Sequence, residues 1–318
     1  MAHPLLSICI PSVSLDEMLF QLQEIEKITA SHRENIEILV KLDKSSDADI
    51  KKANQAAKNI GASLVGQTNE GFDHDIGHLI KAAKGRYVWL VSSNDQLDEA
   101  CLADIMPVLK KDEFEVVFLN SRTSHGEDTA ITVPSDLELN NLGPVLKVIG
   151  TRMSLITSII FRNSDDQSIA DMYRKYSMSA VAFLVYPFYL LANGGKTYVF
   201  SRAKFTNHVR ALGVKETTYY DGVITFGQSL WDMTLEFRNP DQDRDTRDFL
   251  VTNFGHIWRG LMIDWLRREM PRPTVQLWSI RQYRISREYW PAIMFSLLPK
   301  QLARLVLSIY KFFYPQHY

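Results

Sequence analysis

Two cysteines, Cys9 and Cys101, are all that 318 residues contain, which excludes a disulfide framework and fits a reducing compartment. Cys9 sits inside the apolar run Leu5–Ile10, where a thiol serves as a small core residue. Long apolar runs are missing too. The longest, Val181–Ala192, has twelve residues and contains Pro187, against roughly 20 for a helix that crosses a bilayer; it reads as a buried segment. Met1-Ala2-His3-Pro4 lacks the positive n-region and small-residue cleavage site of a secretory signal, so the expected location is the cytoplasm. No GxGxxG follows the first apolar run and no GxxxxGK[ST] occurs anywhere, which removes the dinucleotide fingerprint and the P-loop. Internal repeats and low-complexity segments are likewise missing.

What is present is ordinary globular composition, 46% hydrophobic and 23% charged, ample for a sizeable core. Net charge is only −1, yet residues 259–318 hold ten Arg or Lys against Asp264, Glu269 and Glu288, a balance of +7 that leaves −8 on the rest. A basic tail on an acidic body points to an anionic partner. No recognised RNA or DNA module accompanies it, so anionic lipid rather than nucleic acid is the expected partner.

The first 120 residues alternate short β-rich runs with amphipathic helical patterns, the signature of a parallel sheet wound by helices. Strands are expected at Leu5–Ile10, Ile36–Leu42, Ser63–Val65, Tyr87–Val91 and Glu115–Leu119. Helices are expected at Glu17–Ile28, Asp47–Ile60, Ile76–Ala83 and Leu97–Lys110. Residues 121–140 read as a polar loop or linker. Later strands are expected at Ser158–Phe161 and Lys196–Phe200, and Phe254, Ile257, Trp258, Leu261, Met262, Trp265 and Leu266 recur at amphipathic helical spacing.

Ligands of an open parallel sheet bind beyond the carboxyl ends of its strands. Those positions are polar here: Pro11-Ser12-Val13-Ser14, Asp43-Lys44-Ser45-Ser46-Asp47 and Ser92-Ser93-Asn94-Asp95. Together with Leu5-Leu6-Ser7-Ile8-Cys9-Ile10-Pro11, Glu37-Ile38-Leu39-Val40, Asn69-Glu70-Gly71-Phe72-Asp73 and Ala83-Lys84-Gly85-Arg86-Tyr87-Val88-Trp89-Leu90, this order and spacing resembles the family 2 glycosyltransferases of the GT-A fold. The likeness is to the bacterial polysaccharide branch that includes abequosyltransferases, and it covers about residues 5–97.

The resemblance implies an α/β, GT-A-like nucleotide-sugar-binding domain over residues 1–210, followed by a helical extension over 211–318. It implies that Asp43 contacts the nucleobase or ribose, that Pro11 and Ser12 shape the adjoining floor with Asp73 nearby, and that Ser93-Asn94-Asp95 stands at the DxD motif. DxD carboxylates hold Mn2+ or Mg2+, which bridges the donor phosphates and offsets charge on the departing nucleoside diphosphate. Asp95 supplies one such ligand; Ser93, where the family has Asp, cannot supply a second charge. Leu42 and Lys44 depart from an acid and a glycine in the same way. Three readings stay open: a weakened metal site, a metal-independent enzyme in which Lys44 or Arg152 helps the diphosphate leave, or a binding fold without turnover.

The implied reaction moves a monosaccharide from a nucleoside-diphosphate sugar to a glycan or lipid-linked acceptor with inversion, which needs a group to take the acceptor proton. Asp171 and His208 are candidates for that base, with Asp165 and Asp166 beside them; none lies in a matching motif. His74 and His78 have metal-compatible i, i+4 spacing without an HExxH glutamate. Near residues 299–314, after Pro299, the residues Leu302, Leu305, Val306, Ile309, Phe312 and Phe313 share one helical face, opposite Lys300, Arg304 and Lys311. That is the pattern of a helix lying on the inner surface of the cytoplasmic membrane. The alternative functions are a nucleotide-sugar-binding scaffold with a degenerate DxD and, further off, a nucleotidyltransferase, against which the missing triphosphate loop argues.

Overall fold

Strand β1 (Leu6–Ser12) is buried along its whole length, as a strand covered on both faces must be, and it is the centre from which the sheet is built. In the computed structural model, which describes residues 3–43, 46–66, 71–123, 129–179, 181–207, 227–237, 243–267, 273, 277 and 289–313, β1 pairs in parallel with β2 (Ile36–Leu42) and β4 (Tyr87–Leu90). Beyond β2 lies the short β3 (Ser63–Leu64). On the other side β8 (Ile159–Arg162) runs antiparallel to both β4 and β6 (Val116–Thr123), and β6 pairs in parallel with β9 (Lys196–Asn207). Two short strands, β5 (Gln96–Leu97) and β7 (Leu137–Asn140), pair antiparallel with β9. The order is therefore β3-β2-β1-β4-β8-β6-β9-β5, with β7 also on β9.

The helices are α1 (Leu15–Thr29), α2 (Asp47–Asn59), α3 (Phe72–Ala82), α4 (Cys101–Lys111), α5 (Leu142–Ile149), α6 (Gln167–Lys175) and α7 (Val185–Ala192). Ser14 caps α1 and Ser46 caps α2, each hydroxyl accepting a backbone N–H of the first turn, which satisfies donors the helix itself cannot. Packing on the sheet follows the apolar period: Met18, Leu22, Ile25 and Ile28 of α1 join Ile8, Ile10, Ile38 and Val40 in one core cluster. Gly85 sets the close approach of β4 to β1, since a Cβ there would meet the Ser7 amide at 2.5 Å.

The expected α/β architecture is observed, with boundary corrections. Helix α3 starts at Phe72 rather than Ile76 because Gly71, at φ 98°, turns the chain directly into it. Leu97 belongs to β5 and α4 starts at Cys101, whose amide donates to the Asp98 carbonyl at the intervening turn. Part of the expected 121–140 linker is strand: β6 runs on to Thr123, and β7 finds its partner in β9, a long-range pairing that local composition does not signal.

Two compact units emerge, Met1–Ala211 with Phe237–Asp243 and Leu212–Glu236 with Arg244–Tyr318. The second is helical in its described parts: residues 227–236, Asp243–Arg267, Tyr289–Leu297 and Lys300–Phe313. Of the periodic set near 254–266, Leu261, Trp265 and Leu266 are buried; the side chains of Phe254, Ile257, Trp258 and Met262 lie outside the described residues.

Candidate functional site

The carboxyl ends of β1, β2 and β4 open on a cleft of about 190 Å3, lined by Pro11, Ser12, Val13, Asp43, Phe72, Asp75, Ser92, Ser93, Asn94 and Ile156. This is where a parallel sheet exposes backbone and side-chain polar groups to a ligand. The Asp43 amide donates to the Ser12 carbonyl at 2.9 Å, so the ends of β1 and β2 are locked together and the buried Asp43 carboxylate is carried to the cleft.

Under the floor lies a buried ion pair. Lys41, fully enclosed in β2, stands 3.4 Å from Asp75 Oδ1 and donates to the Gly66 carbonyl at 3.2 Å. Burial raises the Asp75 carboxyl above its ordinary value; the Lys41 ammonium opposes that shift and the Asp43 charge adds to it. Among the described residues the lining contributes two acids and no cationic side chain.

The turn after β4 is built from every side. Thr157 is its hub: its hydroxyl donates to Asp95 Oδ2 at 2.6 Å and accepts the Ser92 amide at 2.9 Å, while its carbonyl accepts Trp89 Nε1 at 2.9 Å. Asn207 Nδ2 donates to the other Asp95 oxygen at 3.0 Å. Ser92 Oγ donates to Asn94 Oδ1 at 2.5 Å, and Ser93 Oγ donates to Glu17 Oε2 at 3.0 Å from the first turn of α1. The Gln21 carboxamide, oriented to satisfy both contacts, donates to the carbonyls of Ser92 and Asp95.

Of the residues singled out from sequence, Pro11, Ser12, Asp43, Ser93 and Asn94 meet in the cleft. Asp95 is 1% exposed and turned into the protein, its two carboxylate oxygens already accepting hydrogen bonds. Asp73 is buried in α3 with its carbonyl accepting the Tyr173 hydroxyl; its neighbour Asp75 is the one that lines the cleft. Asp171 is exposed on α6, accepting from Gln167 Nε2 at 2.9 Å and paired with Arg174. Arg162 pairs with Asp112 at 2.7 Å. His208 and Lys44 lie outside the described residues. His74 and His78 line a second, larger cleft of about 610 Å3 between α3 and α6, together with Asp165 and Asp166.

A hard divalent cation prefers several carboxylate oxygens, and this donor set does not match that need. The cleft presents neutral Ser92, Ser93 and Asn94, Asp95 is committed internally, and among the described residues no group of three or more His, Cys, Asp or Glu is placed to hold a metal.

In the lining, Ser92, Val13 and Phe72 lie inside the motifs quoted above but were given no role there, and Asp75 and Ile156 lie outside those motifs; behind the lining stand Thr157, Glu17 and Lys41. Ser92 was within reach, since it precedes Ser93 at the end of an apolar strand. Thr157 and Ile156 carry no local signal, because they enter from a segment more than sixty residues away.

The family model for glycosyl transferase family 2 matches residues 15–178, a little over half the chain. No curated protein matches by sequence. Among solved structures, residues 1–349 of Staphylococcus aureus TarS in complex with UDP-GlcNAc is similar at TM-score 0.63 and 15% identity, covering 94% of this chain and 87% of that one. The Pyrobaculum calidifontis mannosyltransferase PcManGT in complex with GDP-Man and Mn2+ is similar at TM-score 0.52 and 12% identity, covering 98% and 88%. At such identities the likeness is one of fold: a GT-A sheet with its helices.

Proposed function

This chain belongs to glycosyl transferase family 2, and we propose that it moves a monosaccharide from a nucleoside-diphosphate sugar to a glycan or lipid-linked acceptor, with inversion, at the cytoplasmic face of a membrane. The observation that carries the donor half is the convergence of Pro11, Ser12 and Asp43 with Ser92 to Asn94 in one cleft at the strand ends. Its volume is below the roughly 300–1,000 Å3 of a complete small-molecule site, which suits part of a donor. With two carboxylates and no cation among the described lining residues, that part is the nucleoside: Asp43 accepts from ribose hydroxyls or a base N–H, and Phe72 and Val13 offer apolar walls. The turn at Ser92 to Asn94 brings no charged side chain to the side of the cleft assigned to the diphosphate.

Transfer by direct displacement requires the acceptor hydroxyl to lose its proton as it attacks the anomeric carbon, while the nucleoside diphosphate leaves from the opposite side. Because the cleft residues do not match a carboxylate-held cation, no step of this reading passes through a metal. TarS binds UDP-GlcNAc and PcManGT binds GDP-Man in the similar structures, which supports testing uridine and guanosine donors first. The strand-end motifs keep the polysaccharide branch that includes abequosyltransferases as the finer placement, and the excess of Arg and Lys over residues 259–318 supports the membrane location.

A second reading follows from the same turn: with Ser93 where the family has Asp, the fold could bind a nucleotide sugar without turning it over. Calorimetric titration with UDP-, GDP-, CDP- and dTDP-sugars, followed by assay of nucleoside diphosphate release, separates the two. Binding that is lost in Asp43→Ala, with release on acceptor addition, supports transfer. Binding without release under any condition supports the scaffold, and no binding to any donor overturns both.

A further inference from the structure

Globular helices bury their large apolar residues and expose small or polar ones. The last two described helices also expose large apolar side chains. Along Tyr289–Leu297 the buried positions are Tyr289, Ala292, Ile293 and Ser296, while Trp290, Met294 and Leu297 are each at least half exposed. Along Lys300–Phe313, among the described side chains, Ala303 is buried and Leu302, Leu305 and Val306 face solvent. Among the described residues eleven large hydrophobics are exposed, and six of them fall between positions 290 and 306. A cluster of this density calls for an apolar partner.

The inward face of the last helix is occupied by a polar contact. Arg304 Nε and Nη2 donate to the Leu266 carbonyl at 3.0 and 2.8 Å, capping the end of the helix Asp243–Arg267, where a cation also complements the helix dipole. The helix is therefore anchored through Ala303 and Arg304, which holds its Leu302, Leu305 and Val306 stripe outward. From Tyr289 to Tyr318 there is no Asp or Glu, and Lys300, Arg304 and Lys311 are all cationic. Among the described residues no helix is long and apolar enough to cross a membrane.

We propose that Trp290, Met294 and Leu297 together with Leu302, Leu305 and Val306 form a docking surface that inserts shallowly into an anionic lipid bilayer. Tryptophan, leucine and methionine enter the headgroup and acyl boundary while the net positive charge of this segment draws it to anionic lipid. Docking rests on the helical unit alone; only its purpose, bringing the transferase to a lipid-linked acceptor, rests on the function proposed above.

The test uses the full chain with vesicles of phosphatidylcholine, alone or mixed with phosphatidylglycerol, and compares it with the triple variant Trp290→Ser/Met294→Ser/Leu305→Ser, whose sites are exposed. Co-sedimentation is expected with phosphatidylglycerol vesicles and is weakened by salt. Removing the three side chains should lower the partition coefficient by about tenfold or more, with thermal unfolding unchanged. Brominated lipid should quench tryptophan emission, and Trp290→Phe should lose most of that quenching. Failure to bind any vesicle overturns the proposal. So does vesicle binding that is unaltered in the triple variant, or a triple variant that merely turns a self-associated chain into a monomer. Calorimetric titration with donor nucleotides on the same samples keeps the two proposals apart: donor binding without vesicle binding sinks the docking surface alone, and the converse sinks the transferase reading alone.

Discussion

The Thr157 hydroxyl donates to Asp95 Oδ2 at 2.6 Å, and Thr157 Oγ1 itself accepts the Ser92 amide at 2.9 Å. One fully buried side chain thus orders the turn that lines the cleft and holds inside the protein the only carboxylate the turn possesses. Thr157→Val keeps the shape and deletes both bonds, leaving Asp95 short of a donor. A loss of about 1–3 kcal/mol is expected, read by urea denaturation, together with weaker donor binding. Thr157→Ser should restore most of both; equal losses in the two variants would show that the hydroxyl is not what matters.

Asp95→Ala should act through folding. Its two oxygens accept from Thr157 and Asn207, so truncation strands buried donors and should cost on the order of 1–3 kcal/mol. Chemical denaturation should register that loss equally with and without Mn2+. A variant of unchanged stability that loses only metal-stimulated activity would place Asp95 at a metal instead.

Chelation offers a direct check on the neutral turn. Donor affinity measured by calorimetry is expected to be the same with EDTA as with Mg2+ or Mn2+. The double variant Ser92→Asp/Asn94→Asp puts carboxylates at the two lining positions and should make affinity rise with Mn2+, since hard cations follow carboxylate oxygens. Strong loss of wild-type affinity on adding EDTA would refute this account.

Lys41→Met removes a fully buried ammonium and leaves Asp75 without its counter-charge. Breaking a buried pair from one side costs about 3–5 kcal/mol, and the Asp75 carboxyl should rise further because the group opposing its burial has gone. Thermal melts would report the first effect and the pH dependence of donor binding the second.

Acid sensitivity has a surface contribution at Asp112. A hydrogen bond from Arg162 leads the effects that hold this carboxyl below its ordinary value, with the charge of Arg86 assisting. A depressed folded-state pKa gives stability that is present above the unfolded value, about 3.9, and is lost as pH falls through the folded one. Asp112 is well exposed, so Asp112→Asn should cost no more than about 1 kcal/mol at neutral pH. The difference between variant and wild type should shrink as pH falls below the unfolded value and through the folded one; asparagine also tolerates the left-handed backbone at this position.

The local alternation of Leu6 to Ser12, Ile36 to Leu42 and Tyr87 to Leu90 with amphipathic helices was enough to specify a wound parallel sheet, because burial on both faces and on one helical stripe leaves its period in the chain. The same logic placed Pro11, Ser12, Asp43, Ser93 and Asn94 at the ligand edge, since polar residues directly after buried strands have few other uses. Tertiary structure alone decided which carboxylates face the cleft. Asp95 turned inward because Thr157 and Asn207, distant in sequence, supply its hydrogen bonds, and Asp75 turned toward the cleft because Lys41 was buried beneath it. Likewise the apolar spacing near residue 302 predicted an amphipathic helix with its stripe toward a membrane, but not what holds it: Ala303 is buried and Arg304 donates to the Leu266 carbonyl, while Leu302, Leu305 and Val306 stay exposed. Periodicity is a property of neighbours along the chain, whereas the orientation of a helix face or a carboxylate is set by partners the chain brings from afar.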